Sequence, residues 1–377
     1  MQQDDAAPLA GLRVVETTSY LAGPMTSMML ADLGADVVKV EPPGGDGFRG
    51  FGHRRQGLSA LWASANRGRR SIVLDLKAAD DLAVMKDLLA QADVLVANWR
   101  PHVAAQLGLG PEVLQALNPR LVRLSITGYG SSGPMADAPA FDSLIQAMTG
   151  MVDLLRPTGR PDVSPYWVVD KAVAAFGAQA LLAALYRRER TGRGGNVELP
   201  MLDVMTYFNF PDVFQHRTFV GDATPWKPPF SPVVATADGH IVVTPVSGAH
   251  ISRMLKALER PDVKAELRAI EDPAAAVDVL YARLGEILRS APTAHWQALL
   301  EAHDVPSAPV RSLEDHLADP QVRHNRLYHE VQTPSGPARA VRYPASFEGR
   351  HARSARSSPA VDEHGPGIRA ELGARKS

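Results

Sequence analysis

The feature that most constrains the fold is a regular alternation of short apolar strands and helices over the first 130 residues. The five predicted strands are rich in Val, Ile and Leu; they are 12–16, 36–41, 71–76, 93–97 and 121–127. The helices predicted between them are 24–33, 79–91, 102–107 and 111–117. Strands separated by helices and short links pair in parallel through right-handed crossovers. The pattern therefore predicts an α/β fold built on a doubly wound parallel sheet.

The remainder of the 377-residue chain predicts a second, smaller domain. A large domain is expected over 1–215, followed by a Pro- and Gly-rich linker at 216–232. An α+β unit over 233–304 is expected to begin with a β-hairpin around Asp238-Gly239, a strong turn signal. Residues 305–377 are then expected to return to the large domain, ending in an Arg- and Ser-rich tail that lies over a surface.

Charge and composition indicate which partners and chemistries to expect. The formal net charge of −1 gives no electrostatic reason to expect nucleic acid or an anionic membrane as a partner. The chain has no cysteine, which excludes disulfides, thiolate metal sites and a Cys nucleophile. The acidic N-terminus does not resemble a signal peptide. No apolar run is expected to reach the ~20 residues needed to span a bilayer. A cytoplasmic protein is expected.

Most catalytic motifs are missing from the sequence. There is no H-E-x-x-H or close His/Asp cluster for a metal, no G-x-S-x-G elbow and no P-loop. A G-x-G-x-x-G does occur at 128–133, but its third glycine runs into Pro134 instead of opening a helix. That context argues against a dinucleotide fingerprint and favours a Gly-rich catalytic loop.

The stretch 167–195 combines a long apolar helix with a carboxylate at its start. Apolar residues at three- and four-residue spacing predict a helix over Lys171–Arg190 that Gly192 ends. Asp170 precedes it behind an apolar run. One interpretation is an N-cap carboxylate. The other is a nucleophile, little hydrated and kept ionised by the helix N-terminus.

Polar residues follow two of the predicted strands, at the strand ends where open α/β sheets bind ligands. Lys77 comes after the third strand, and Asn98 and Arg100 after the fourth. Spacing alone allows them equally to be solvated edge residues. Their common position at one edge of one sheet favours binding.

Several stretches, in one order along nearly the whole chain, resemble the family III CoA-transferases, which include formyl-CoA transferase and carnitine CoA-transferase. They are LRVVETTSYLAGPMTSMMLADLGADVVKVEPPGGD (12–46), NRGRRSIVLDLK (66–77), ADVLVANWRP (92–101), LGLGPEVLQALNPRLVRLSITGYGSSGP (107–134), FDSLIQAMTG (141–150), VVDKAVAAFGAQALLAALYRRERTGRG (168–194), ATADGHIVV (235–243), VPSAPVRSLEDHLADPQV (305–322) and SPAVDEH (358–364). The α-methylacyl-CoA racemases share the scaffold, so the set indicates the superfamily better than the reaction.

The resemblance implies CoA transfer from an acyl-CoA to a free carboxylic acid, with Asp170 as nucleophile. An acyl-aspartyl anhydride and then an aspartyl-CoA thioester would form in turn. The CoA thioester would be a substrate, and no prosthetic group or metal is implied. The positions that would line CoA are Leu21, Ala22, Leu74, Asp75, Leu76, Lys77, Asn98, Trp99, Arg100, Gln106, Ala140, Phe141 and Asp142. Among them, Lys77 and Arg100 are suited to phosphate.

This chain departs from the formyl-CoA enzyme at positions that bear on the substrate. That enzyme has Gln at the position of Leu21, Arg at that of Gln106 and Tyr at that of Phe141, and its tetraglycine loop has no counterpart between 230 and 260. A larger or more apolar acyl group is therefore expected. The related racemases carry a His where Phe141 stands, and Phe cannot exchange a proton. A racemase remains the closest alternative, followed by a dinucleotide-dependent oxidoreductase and a non-enzymatic CoA-binding regulator.

The resemblance also implies an architecture. The large domain would be Rossmann-like and built from both ends of the chain, with the small domain inserted. Two subunits would form a homodimer of interlocked rings.

Overall fold

The computed structural model describes residues 7–154, 160–221, 231–354 and 356–374. The chain divides into two compact units. The first comprises Met1–Pro225 and Leu327–Ser377, and the second comprises Trp226–Arg326.

The first unit is organised on a parallel sheet. Its strands and those of a small hairpin are β1 Arg13–Glu16, β2 Asp36–Glu41, β3 Arg54–Arg55, β4 Leu58–Ser59, β5 Arg69–Val73, β6 Val94–Ala97, β7 Val122–Thr127 and β8 Gly195–Pro200. Six of them form one sheet in the order β5-β2-β1-β6-β7-β8, with every neighbouring pair parallel, whereas β3 and β4 pair antiparallel beside it. The prediction of an α/β fold with a parallel sheet is confirmed. The order reverses between β1 and β6, which makes their C-terminal ends a switch point.

Helices cover both faces of the sheet. They are α1 Ala22–Asp32, α2 Ala60–Ala65, α3 Ala79–Ala90, α4 Pro101–Gln106, α5 Pro111–Leu117, α6 Asp142–Met148, α7 Met151–Leu154, α8 Val168–Thr191 and α9 Met201–Val213, with a 3₁₀ turn at Gly47–Gly50. Because side chains alternate along a strand, β1 feeds both cores. Val14 belongs to the core under α1, α8 and α9, and Val15 to the core under α3 and α5.

The long helix α8 occupies the centre of one face. Gly192 ends it in the left-handed conformation (φ 71°), as predicted. A Cβ on Gly177 would lie 2.9 Å from Thr26 Oγ1, so glycine lets α8 approach α1 closely. By length and composition, α8 could span a bilayer. The expectation that no apolar run reaches that length was wrong on this point. The apolar side chains of α8, including Val173 and Leu181, pack instead in the core against α1 and α9.

The second unit joins an antiparallel sheet to a set of helices. Its elements are β9 Val233–Ala235, β10 His240–Val243, α10 Gly248–Ala257, α11 Pro261–Arg268, α12 Pro273–Ile287, α13 Thr293–Ala302, β11 Ser307–Pro309, α14 Leu313–Ala318 and α15 Pro320–His324. The hairpin predicted around Asp238-Gly239 is present as β9 and β10. β11 pairs with β10, so residues 305–326 belong to this unit and not to the returning segment. Residues 222–230 of the predicted linker lie outside the described residues.

The chain then returns to the first unit. Its last elements are β12 Tyr328–Thr333, β13 Gly336–Val341, β14 Ser346–Phe347, β15 Arg350–His351 and α16 Gly365–Ala374. The tail was expected to lie over a surface, but α16 buries Ile368 and Leu372 in the core that α3 covers. Glu371 also receives a hydrogen bond of 2.9 Å from Arg70. The helix was not predicted because it has few apolar residues and lies in an Arg-rich stretch.

Candidate active site

Asp170 lies in the first turn of α8, at the third helical position. The N-cap is Trp167, and no side chain caps the helix. The N-cap interpretation of Asp170 is therefore wrong, because the helix begins two residues before it. A carboxylate at this position lies near the free N–H groups of the first turn, and that surrounding favours negative charge.

A second carboxylate meets Asp170 from the neighbouring helix. Asp142, the first residue of α6, is only 5% exposed. Its Oδ2 accepts a hydrogen bond of 3.0 Å from the backbone N–H of Asp170. Its Oδ1 accepts one of 2.5 Å from Gln146 Nε2, while Gln146 Oε1 accepts one of 2.8 Å from the N–H of Ser164. Asp142 and Gln146 thus tie the segment before α8 to α6.

The pKa of Asp170 is raised to about 7. Burial is the main cause and the nearby charge of Asp142 the second, while Lys171 acts in the opposite direction. Burial and the like charge of Asp142 thus oppose the ionisation that the helix N-terminus was expected to favour. A carboxylate with this pKa is poorly hydrated when ionised, which suits a nucleophile.

An aromatic cluster surrounds the first turn of α8. Tyr20, in the loop after β1, has a left-handed backbone (φ 67°), a strained conformation for a bulky residue. Its ring meets Phe141 edge-on at 5.9 Å and Phe51 at 6.0 Å. The ring of Phe48 meets Trp167 at 6.2 Å. Aromatic side chains from three loops thus flank the start of the helix that carries Asp170.

A buried ionic network stabilises the loops that carry Tyr20 and Phe48. Lys39 Nζ lies 2.9 Å from Glu16 Oε1 and 3.0 Å from Asp46 Oδ2, and Arg69 lies 2.5 Å from Glu16 Oε2. Asp46 Oδ1 in turn accepts hydrogen bonds from the N–H groups of Tyr20 (3.3 Å) and Phe48 (2.9 Å). The segment 42–50 is therefore anchored. Neither the network nor Tyr20 could be identified from the sequence, because the partners come from separate strands and loops.

The residues predicted to line CoA lie mostly along the C-terminal edge of the sheet. Asn98 follows β6 and exchanges two hydrogen bonds with the backbone of Ser19 after β1, at 3.3 and 3.1 Å, across the switch point. Lys77 and Arg100 are exposed, and no carboxylate of the described residues lies within ion-pair distance of either. Lys77 follows β5, three strands from β6 and hence about 14 Å away.

Other predicted positions differ in what they could offer a ligand. Leu21 and Ala22 are buried at the start of α1, and Leu74 is buried in the core. Phe141 is 54% exposed. The remaining predicted positions are half-buried or exposed; they are Asp75, Leu76, Trp99, Gln106 and Ala140.

The Gly-rich segment 128–133 follows β7 at the same edge. No helix opens at Gly133; the next one is α6, which agrees with the argument against a dinucleotide fingerprint. The N–H of Gly130 donates to Thr127 Oγ1 at 3.1 Å, and that of Ser131 donates to Glu198. Two backbone N–H groups of this loop are therefore already engaged within the protein. Within the described ranges, no cluster of His, Asp and Glu could hold a metal ion.

Comparison with known proteins identifies the family. The sequence model of CoA-transferase family III matches residues 9–365. The chain is 33% identical to succinate–glutarate CoA-transferase of Agrobacterium fabrum, over 97% of this chain and 96% of the relative. It is 32% identical to acetyl-CoA:oxalate CoA-transferase of Acetobacter aceti, over 97% and 96%. The crystal structure of a CAIB/BAIF family protein from Brucella suis superposes with a TM-score of 0.84 at 30% identity, covering 97% of this chain and 99% of that one.

The chain belongs to CoA-transferase family III. It is an enzyme, a CoA-transferase, as the resemblance in its sequence implied.

Proposed function

We propose that this enzyme moves CoA from an acyl-CoA to a free carboxylic acid through covalent intermediates on Asp170. The observation that carries the proposal is the setting of that carboxylate. It lies in the first turn of α8, beside Asp142 and an aromatic cluster, and its pKa is raised to about 7 by burial and by Asp142. A desolvated carboxylate at the ligand-binding edge of a parallel sheet is suited to attack a thioester.

The reaction would proceed through successive acyl transfers between CoA, Asp170 and the two acids. Asp170 attacks the thioester carbonyl, the C–S bond breaks, and an acyl-aspartyl anhydride and CoA thiolate form. The thiolate attacks the aspartyl carbonyl of the anhydride, giving aspartyl-CoA thioester and the free donor acid. The acceptor carboxylate attacks that thioester, and the released thiolate then attacks the acceptor's carbonyl, which frees Asp170. Each intermediate keeps the activation of a thioester, where a serine ester would not.

Binding of CoA is proposed along the C-terminal edge of the sheet. Lys77 and Arg100 supply exposed cations for the phosphates. The loops after β1 and β6 are joined by hydrogen bonds between Ser19 and Asn98, and they would contact CoA between Lys77 and Arg100. Water must be kept from the anhydride, and the rings of Tyr20, Phe141 and Trp167 are placed to exclude it.

A homodimer is also proposed. The outer faces of α8 and α9 expose several large apolar side chains; they are Leu182, Tyr186, Tyr207, Phe208 and Phe210. A second copy of the chain would cover such a face. Sedimentation at low concentration tests this, since a stable monomer would contradict it.

The nucleophile is tested by chemical trapping. Wild-type enzyme incubated with acyl-CoA and hydroxylamine should yield a hydroxamate on Asp170, located by peptide mass spectrometry. Asp170→Ala should bind CoA yet lose transfer. Asp203→Ala is a matched control, because Asp203 holds the same third position in α9 and is exposed. Near-normal turnover by Asp170→Ala would remove this residue from the mechanism.

The same enzyme preparation separates transferase from racemase. A chiral 2-methylacyl-CoA is incubated in deuterated water with and without free acids, beginning with succinate, glutarate and oxalate. New CoA esters that appear only with an acid support the transferase. Deuterium at C2 without an acid would decide for the racemase, although Phe141 offers no proton at the position where a His would be needed.

A further inference from the structure

An apolar groove of about 540 Å³ lies in the first unit beside the first turn of α8. Its walls come from α1, α2, the 3₁₀ turn and β13. The apolar side chains that form most of its surface include Met25, Met28, Phe48, Leu61, Trp167 and Val341. It is large enough for an aliphatic chain with several methylene groups.

The groove is placed next to the proposed nucleophile. Two of its lining residues, Trp167 and Lys171, belong to the same helical turn as Asp170. Asp170 is not itself in the lining, but it lies within one helical turn of both of these residues. An acyl group attached to Asp170 therefore has this groove beside it.

The charges in the groove are cationic and largely unmatched. Lys171, Arg67 and Arg339 line it, and no Asp or Glu does. Arg67 is paired with the buried carboxylate of Asp32. For Lys171 and Arg339, the part of the chain that the structure describes offers no carboxylate within 4.0 Å. Even Glu330, which faces Arg339 across the β12–β13 hairpin, forms no ion pair with it.

The exposed side chain of Arg339 lies near an aromatic ring. Its guanidinium carbon lies 5.8 Å from the centre of the Tyr328 ring, at cation–π distance. Arginine presents a planar fork that matches both oxygens of a carboxylate. Apolar walls and a guanidinium that has no carboxylate partner among the described residues fit a ligand with an aliphatic chain and a terminal carboxylate.

We propose that the groove binds the chain of an aliphatic dicarboxylate substrate, with one carboxyl group at Asp170 and the distal carboxylate at Arg339. Lys171, next to Asp170, adds positive charge near the reacting end. This inference rests on the proposed function, because it assigns the second carboxyl group of the acid that exchanges CoA. Arg339 is then a specificity-determining residue and Asp170 the catalytic one.

The experiment compares acids of equal length. With succinyl-CoA as donor, kcat/KM is measured for glutarate against pentanoate, adipate against hexanoate, and suberate against octanoate. The ratio of each dicarboxylate to its monocarboxylate cancels any effect on the donor. Wild type should favour at least one dicarboxylate, and Arg339→Gln should lower that ratio by about 10- to 100-fold, the effect of one lost charge-assisted hydrogen bond. Arg339→Lys should lie between.

Control measurements separate the possible failures. Arg350→Gln, on β15 and outside the groove lining, should keep the wild-type ratio. Turnover of the monocarboxylates by Arg339→Gln shows that this variant is folded. A hydroxamate on Asp170 combined with an unchanged ratio in Arg339→Gln would overturn the groove assignment while leaving the nucleophile in place. Absence of the hydroxamate from wild type would instead overturn the proposed function. A shift in oligomeric state with an unchanged ratio would assign the groove to a second copy of the chain.

Discussion

The side chain of Asp142 accepts a hydrogen bond from the backbone of Asp170 at 3.0 Å, so the first residue of α6 fixes the first turn of α8. The same carboxylate also acts through its charge on the carboxylate of Asp170. Asp142 therefore both positions the proposed nucleophile and raises its pKa. In the free enzyme, much of Asp170 is protonated near pH 7.

The activity of the enzyme should fall on the acid side of a pKa of about 7. Only ionised Asp170 attacks a thioester, so kcat/KM for the acyl-CoA donor should rise tenfold per pH unit below the inflection and level off above it. Asp142→Asn removes the second cause of the raised pKa and should move the inflection to lower pH. Burial, the main cause, remains, so the pKa should stay above 3.8.

The pH profile is measured by initial rates between pH 5 and 9. Asp203→Asn serves as the control and should keep the wild-type inflection. A flat wild-type profile, or an inflection that moves upward in Asp142→Asn, would contradict this account. The side chain of Asp142 accepts from both Gln146 and the backbone of Asp170, whereas the amide in Asp142→Asn can accept through one atom only. Some loss of maximal rate is therefore expected in that variant.

Asp170→Asn should stabilise the fold at alkaline pH. The pKa of Asp170 rises from 3.8 to about 7 on folding, so the native state binds this proton more tightly than the unfolded state does. Stability from the bound proton is full below about pH 3.8 and is lost as the pH rises through 7. At pH 8.5 the ionised carboxylate costs up to about 4 kcal/mol, which Asn does not incur. Thermal melts at pH 8.5 and pH 4 check this; an equal gain in Tm at both would refute it.

The fold could be read from the sequence where local pattern and tertiary environment agree. The strands at 12–16, 36–41, 93–97 and 121–127 are rich in Val, Leu and Ile because a parallel sheet is buried on both faces. The tail helix α16 was missed, since few apolar residues mark it. The two-residue turn at Asp238-Gly239 was clear because its chemistry is local.

The site was predictable only in part. Sequence position placed Asp170 near a helix start, but the pKa depends on Asp142, 28 residues away, and on burial. The same limit applies to the Tyr20 loop, whose strain is sustained by Asp46 and Lys39. Long-range contacts of this kind leave no pattern in a single sequence. The roles of Lys77 and Arg100 in CoA binding stay predictions.

Lys77→Ala and Arg100→Ala should each weaken CoA binding. Loss of one charge-assisted bond to phosphate costs about 1.5–3 kcal/mol, or roughly 10- to 100-fold in Kd. Titration calorimetry with CoA at two salt concentrations measures both the loss and its electrostatic origin. Lys86→Ala, in the middle of α3, is the control. Unchanged affinity in both variants would place the phosphates elsewhere.

Lys39→Met should destabilise the first unit and disturb the active-site loops. Removal of the cation leaves Glu16 and Asp46 as buried carboxylates without their shared partner, which costs about 3–5 kcal/mol. The midpoint of urea denaturation should fall, and transfer activity should fall further than stability alone explains, because Asp46 holds the Tyr20 loop. The variant Lys86→Met, in α3 and outside this network, should show neither effect. A Lys39→Met enzyme as stable as wild type would mean that Arg69 alone balances these charges.

The division of the first unit between both ends of the chain affects how it is made. A ribosome releases all of Trp226–Arg326 before Leu327 appears. Until α16 is synthesised, the surface that Ile368 and Leu372 will cover stays open to solvent. About 140 residues at about 5–20 residues per second amount to roughly 7–28 s of exposure. During that interval the second unit can already be folded, while the first unit still exposes apolar surface that chaperones would bind.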